Sequence, residues 1–135
     1  MIHIVFDLDG TLADTQRIHQ QIESDFLLSK WVMLDGELIG KTYAGRSPTE
    51  WIPECLTEHH VNFHHDEIEV FVASKDEKVI HLLKDGQIQL MPWVYDVLTL
   101  FAWRWIKMGI SSWACRAFID EFLRYFDLTM IDAST

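Results

Sequence analysis

Cysteine is scarce in this chain, positive charge is outweighed, and no apolar run of membrane-spanning length goes unbroken. Each shortage closes a class of protein. Cysteine occurs only at Cys55 and Cys115, far apart and without framework spacing. That argues against a disulfide scaffold and for two free thiols in a reducing compartment. Lys and Arg number 11 against 21 Asp and Glu, a formal charge of −10. A nucleic-acid partner calls for a basic stripe and is not expected. Ile88 to Ile110 comes nearest to a membrane span, but Pro92, Asp96, Arg104 and Lys107 interrupt it, so no membrane partner is expected. The N-terminus opens directly into what reads as a strand, with no signal peptide, so the expected location is cytoplasmic. What remains is 135 residues, 49% of them apolar, enough for one compact unit or a small core with a modest insertion.

The rest of the chain is organised around its start. Ile2 to Phe6 is mostly apolar and runs into Asp7, Leu8, Asp9, Gly10 and Thr11. A short run with little polar alternation fits a strand buried on both faces of a parallel α/β sheet. Ligands in such sheets bind beyond the carboxyl ends of the strands, where Asp7 and Asp9 would lie. Side chains two apart share a face, so both carboxylates can converge while Leu8 points elsewhere. Gly10 permits a sharp turn and lets backbone N–H groups approach an anion. Two carboxylates this close each need a cation or a proton. With Mg²⁺ bound, Asp7 would stay ionised as a nucleophile and Asp9 would serve as acid and base. A bare Asp-x-Asp by itself is better explained as a plain strand-to-turn junction. An EF-hand loop does not fit, because its glycine comes at the sixth position and here it is the fourth.

The whole string Phe6-Asp7-Leu8-Asp9-Gly10-Thr11-Leu12-Ala13-Asp14-Thr15 resembles the first motif of the haloacid dehalogenase-like (HAD) hydrolase superfamily. The Asp14-Thr15 continuation, with His19 after it, is similar to the β-phosphoglucomutase and phosphoglycolate-phosphatase-like branch. The resemblance implies an α/β fold, a partial Rossmann-like parallel-sheet core with an inserted helical C1-type cap. It implies that Asp7 becomes an aspartyl phosphate, that Asp9 is the general acid and base, and that Mg²⁺ binds the Asp7 side chain and the Asp9 carbonyl. Gly10 and Thr11 would belong to the substrate-binding turn. The chain's net charge would repel a small phosphorylated metabolite at long range, so a metal and local donors would have to offset it.

Beyond Thr15 the pattern turns helical, with Ile18, Ile22, Phe26 and Ser29 on one face. Trp31 to Leu34 extend the apolar surface, and Asp35-Gly36 and Gly40 are expected to break it. His19 is either an ordinary helix-surface histidine or, by its position in the family, a group at the site's edge. Ser47 and Glu50 have capping-box spacing and Pro48 suits a first helical position, so a helix starts there with Trp51, Ile52, Cys55 and Leu56 buried. Arg46 could bind phosphate oxygens through its planar fork, or be an exposed arginine with no special contact. His59, His60, His64 and His65 match no standard metal-ligand spacing and read as a solvated turn. Asp66 to Lys84 reads as one helix or a pair, with Lys75-Asp76-Glu77-Lys78 as a solvent-facing charged patch. The expected division is a cap at 15–85 and a core at 1–14 and 86–135.

Asp85-Gly86 ends the cap, and Pro92 is expected to start a helix with Val94, Val97, Leu98, Phe101 and Ala102 on its apolar face. Relatives usually have Pro-Gly-Val where this chain has Pro92-Trp93-Val94, and a second expected glycine is replaced at Trp105. If either position needs positive φ, tryptophan there is strained. Ile106 to Ile110 reads as a strand. Ser111-Ser112 at its end resembles the family's second motif, which assigns to Ser112 the hydrogen bond to the transferring phosphoryl group. Phe118, Ile119, Phe122, Leu123 and Phe126 then form the core face of a helix, and Met130-Ile131-Asp132 would begin a third strand.

In the family, a lysine and an acidic pair that completes the Mg²⁺ site lie beyond the position of Thr135, and no lysine follows Lys107. The chain is therefore expected to cover about the first half of a family domain. Its first strand would then keep an unpaired edge that invites homo-oligomers. Two readings follow. One is a phosphohydrolase or phosphomutase in which Asp7 attacks, Asp9 protonates the leaving oxygen, Ser112 holds the phosphoryl group, and Arg46 and His19 assist. The other is a non-catalytic, metal-binding or oligomeric module.

Overall fold

The structure is a computed structural model that describes residues 1–133; Ser134 and Thr135 lie outside the described residues. Its elements run β1 (His3–Phe6), α1 (Gln16–Ser29), α2 (Gly36–Tyr43), α3 (Pro48–Glu58), α4 (His65–Lys84), α5 (Val94–Trp103), β2 (Lys107–Ile110), α6 (Arg116–Tyr125) and β3 (Ile131–Asp132). The chain forms two compact units, Met1–Thr15 with the chain from Ile80 onward, and Gln16–Val79.

The first unit is α/β. Its three strands are parallel in the order β1-β2-β3, with Ile4 beside Met108, Phe6 beside Ile110 and Met108 beside Ile131. Those pairs share one face; Met108, Ile110 and Ile131 are buried, as are Val94 and Leu98 of α5 and Phe118 and Phe122 of α6. Phe6 packs its ring near Trp93 and Phe101, with centroids 6.3 and 6.4 Å away. The sequence expectation of a strand buried on both faces fails for β1. His3 and Val5, on one face, are exposed, and Ile4 and Phe6, on the other, are half-buried; β2 is the one strand beside β1 among the described residues. Pro92 likewise does not begin α5; with Trp93 it forms the turn before Val94. Of the two tryptophans that stand where relatives have glycine, Trp93 is relaxed at φ −84° and Trp105 takes φ 59°.

The second unit is helical. Trp51, Ile52, Cys55 and Leu56 are buried as the periodicity requires, although the capping box does not close: Ser47 Oγ pairs with Thr49 Oγ1 at 2.8 Å and makes no cap bond. Gly36 and Gly40 do not break the chain. They lie in α2, which Asp35 caps by accepting the Leu38 N–H at 2.8 Å. A Cβ on Gly36 would stand 3.0 Å from Gln20 Cβ, and one on Gly40 would stand 2.1 Å from Gln20 Nε2. Glycine here admits Gln20 of α1 against α2. The 65–84 segment is a single helix, and its charged patch is not all solvent-facing. Lys75 is buried and paired with Glu23 of α1, itself buried.

Candidate active site

Asp7 leaves the end of β1, and the chain then winds into a turn pinned from three directions. Leu8 and Leu12 have no exposed surface. The Leu8 carbonyl accepts the N–H groups of Thr11, Leu12 and Ala13 at 3.2, 2.9 and 3.0 Å. Gly10, at φ 77°, donates to the Ala13 carbonyl at 2.8 Å, a backbone conformation open to glycine at little cost. Asp14 N–H donates to the Gln89 carbonyl, and Met91 N–H to the Leu12 carbonyl, both at 2.9 Å. The turn is therefore tied both to itself and to the segment preceding α5.

Within that frame the two carboxylates have different surroundings. Asp7 is exposed, and its Oδ1 accepts the N–H of Leu8 at 2.8 Å. Asp9 is half-buried, and its Oδ1 accepts the hydroxyl of fully buried Thr15 at 2.5 Å. The ladder between β1 and β2 continues past the strands, with Ser111 N–H donating to the Phe6 carbonyl at 2.9 Å. That register brings Ser111 and Ser112 to the same carboxyl edge as Asp7. Ser112 Oγ accepts the Ala114 N–H at 3.0 Å, which fixes the oxygen and leaves its hydroxyl proton able to donate to an anion.

Asp7, Asp9, Gly10, Thr11 and Ser112 thus belong to one edge of the α/β unit, and His19 and Arg46 belong to the helical unit. Arg46 is not the contact-free arginine of the simpler reading, since its Nη2 bonds Glu54 Oε2 at 2.5 Å. The four histidines from the end of α3 to the first residue of α4 are exposed and engaged in different ways. His59 Nδ1 lies 2.8 Å from the Cys55 carbonyl oxygen, His60 takes φ 57°, and His65 sets its ring edge to Phe63 at 5.8 Å. Among the described residues no three His, Cys, Asp or Glu side chains form a group that could hold a metal. The donors at the α/β edge are all oxygens, which suits Mg²⁺, an ion that commonly takes one or two carboxylates and fills its shell with water and phosphate oxygens.

Thr15 was legible only as part of a motif, and its bond to Asp9 escaped the sequence reading. The buried Glu23–Lys75 pair escaped too, although a signal existed. Lys75 falls in the series Ile68, Phe71, Lys75, Val79, Leu83, whose spacing of three and four places it on the buried stripe.

A parallel sheet with helical crossovers and a helical unit inserted directly after the first strand defines an α/β protein of Rossmann type. The model of the haloacid dehalogenase-like hydrolase family matches residues 4–132, and the chain belongs to that family. Protein CbbY of Rhodobacter capsulatus is 22% identical over 129 residues, covering 89% of this chain and 54% of the relative. A mutant of CbbY from Rhodobacter sphaeroides, solved with xylulose-(1,5)bisphosphate, superposes with a TM-score of 0.75 at 23% identity, over 93% of this chain and 57% of that one. A family IA HAD hydrolase from Entamoeba histolytica gives 0.74 at 16% identity, over 96% and 56%. The chain thus spans a little over half the length of these relatives, and the likeness to the solved structures is one of fold.

Proposed function

We propose that this chain carries the reaction centre of a HAD-like phosphohydrolase or phosphomutase acting on a small phosphorylated metabolite of sugar-phosphate or phosphoglycolate type. The observation that carries this reading is the register of β1 and β2, which sets the Asp7 turn beside Ser111 and Ser112 at one carboxyl edge. A bisphosphorylated sugar is the ligand solved with the Rhodobacter sphaeroides protein, and it suggests where to begin the substrate panel.

In this reading an Asp7 carboxylate oxygen attacks phosphorus, the ester P–O bond breaks, and Asp9 gives its proton to the leaving oxygen. For a hydrolase, Asp9 then takes a proton from water, the water oxygen attacks phosphorus, and inorganic phosphate leaves with Asp7 restored. The Ser112 hydroxyl and the N–H groups of the Gly10-Thr11 turn donate to the phosphoryl oxygens. Mg²⁺ held by the Asp7 carboxylate and the Asp9 carbonyl would supply charge neutralisation at the transferring group. Residues 15–85 are read as the helical cap of this branch, with His19 and Arg46 as its substrate-contacting groups. The open edge of β1 is read as a route to homo-oligomers, which a mass measurement in solution tests. The compartment is read as cytoplasmic.

The test is inorganic phosphate release from a panel of phosphomonoesters, with Mg²⁺ and with EDTA, beside an Asp7→Asn variant. Release that needs both Mg²⁺ and Asp7 would support the enzyme reading. Folded protein that releases none would overturn the enzyme reading and leave a non-catalytic module.

A further inference from the structure

The loop between α2 and α3 carries an arrangement of charge on an aromatic support. Tyr43 and Trp51, only 9% and 2% exposed, stack with centroids 4.4 Å apart and 16° between their planes. The Arg46 guanidinium carbon lies 5.9 Å from the Tyr43 ring centroid. Arg46 is thus an arginine carried on a buried platform rather than a loose surface arm. Its Nη2 donates to Glu54 Oε2, one helical turn from Glu50, and both carboxylates act on its charge. The bond to Arg46 holds the Glu54 carboxyl below its ordinary value.

We propose that Glu54 is a built-in competitor for the anion position at Arg46, one that sets its affinity and that an incoming phosphate group has to displace. This rests on the reading of Arg46 as a phosphate contact. The recorded bond joins one guanidinium nitrogen to one carboxylate oxygen. A phosphate dianion brings more charge and three oxygens that match the fork two at a time, and such bidentate bonds are the stronger kind. A monocarboxylate ligand offers Arg46 nothing that Glu54 does not already supply, so its exchange gains little. Glu54 therefore raises, by one common factor, the concentration at which any anion fills the position, and an anion with a strong hold on the fork takes it first. With its carboxyl held low, Glu54 stays ionised through neutral pH, and displacement depends on the ligand rather than on protonation.

The experiment compares the full chain with its Glu54→Gln variant. Two readouts are used: KM and kcat for a phosphomonoester, and titration of the Arg46 side-chain NMR signal with inorganic phosphate and with acetate, the latter in an Asp7→Asn background. Losing an exposed carboxylate competitor should lower KM, and the Kd of phosphate and of acetate alike, by about threefold, and leave kcat unchanged. Unchanged or raised KM and Kd would overturn the proposal. If Asp7-dependent turnover occurs without that drop, the competitor is refuted and the reaction stands. If no turnover occurs but the Arg46 signal responds more strongly to phosphate in Glu54→Gln, the reaction is refuted and the competitor stands. A signal that responds in neither protein refutes both.

Discussion

Thr15, with none of its surface exposed, donates its hydroxyl to Asp9 Oδ1 at 2.5 Å across six residues of chain. The bond closes the turn between β1 and α1 and fixes one oxygen of the carboxylate read as the acid and base. A buried hydroxyl has few alternatives for its proton, so the bond defines where Asp9 points as well as joining two residues.

Replacing Thr15 by valine keeps the shape and removes the donor. If Asp9 handles the proton, Thr15→Val should lower kcat roughly tenfold, the worth of a hydrogen bond to a charged group. Thr15→Ser should recover most of the loss. The pH profile of kcat should shift in Thr15→Val, because the hydroxyl holds the carboxyl that moves the proton. An unmoved profile would show that Thr15 only packs the turn.

Trp31 and Trp105 sit just past the ends of α1 and α5 at φ 65° and 59°. Trp31 N–H bonds the Leu28 carbonyl and Val32 N–H the Leu27 carbonyl, and Trp105 and Ile106 repeat the pattern on Ala102 and Phe101. This is the helix-ending arrangement that favours glycine. Both indoles are more than nine-tenths or about nine-tenths exposed, at 93% and 90%, so little packing is lost with them. Trp31→Gly and Trp105→Gly should each stabilise the protein by about 1 kcal/mol, since the left-handed strain removed exceeds glycine's entropy cost. Trp93→Gly should destabilise it, because Trp93 is unstrained and packs on Phe6. Urea midpoints of the three variants decide the matter.

Glu23 and Lys75 join α1 to α4 inside the helical unit. Removing one partner strands a buried charge, and Lys75→Met or Glu23→Leu alone should cost about 3 kcal/mol or more. The double variant should recover most of that loss, because two apolar side chains of similar size need no partner. A double-mutant cycle in urea measures the coupling. Additive losses would show that the pair is not coupled.

Tyr43 provides a pH signature for the same unit. Burial first, then its bond to Cys55 and the charge of nearby acids, push its hydroxyl up to about 12. An unfolded tyrosine loses its proton near pH 10, so between these values the unfolded state releases a proton that the folded state keeps. The stability contribution is complete below pH 10 and is lost as pH rises towards 12. Tyr43→Phe should flatten this alkaline fall, and ultraviolet titration of the native protein should show one tyrosine ionising late.

Local sequence determined much of this protein. The run from Phe6 to Thr15 identified the family, because a strand, two aspartates and a glycine turn are decided by neighbours in the chain. The buried faces of α3 and α6 followed from spacing alone, since a helix of Trp51, Ile52, Cys55 and Leu56 or of Phe118, Phe122 and Leu123 has one side to hide. Tertiary structure decided the rest. Gly36 and Gly40 looked like breaks until Gln20 of α1 stood against them. Lys75 looked solvated until Glu23 met it, and β1 looked doubly buried until one of its faces proved exposed. Whether Trp93 or Trp105 would be strained depended on the backbone conformation each received from its surroundings. Propensity and period are properties of a few neighbouring residues, whereas a partner's identity, a strand's place in its sheet and a backbone's hand depend on distant chain arriving beside them.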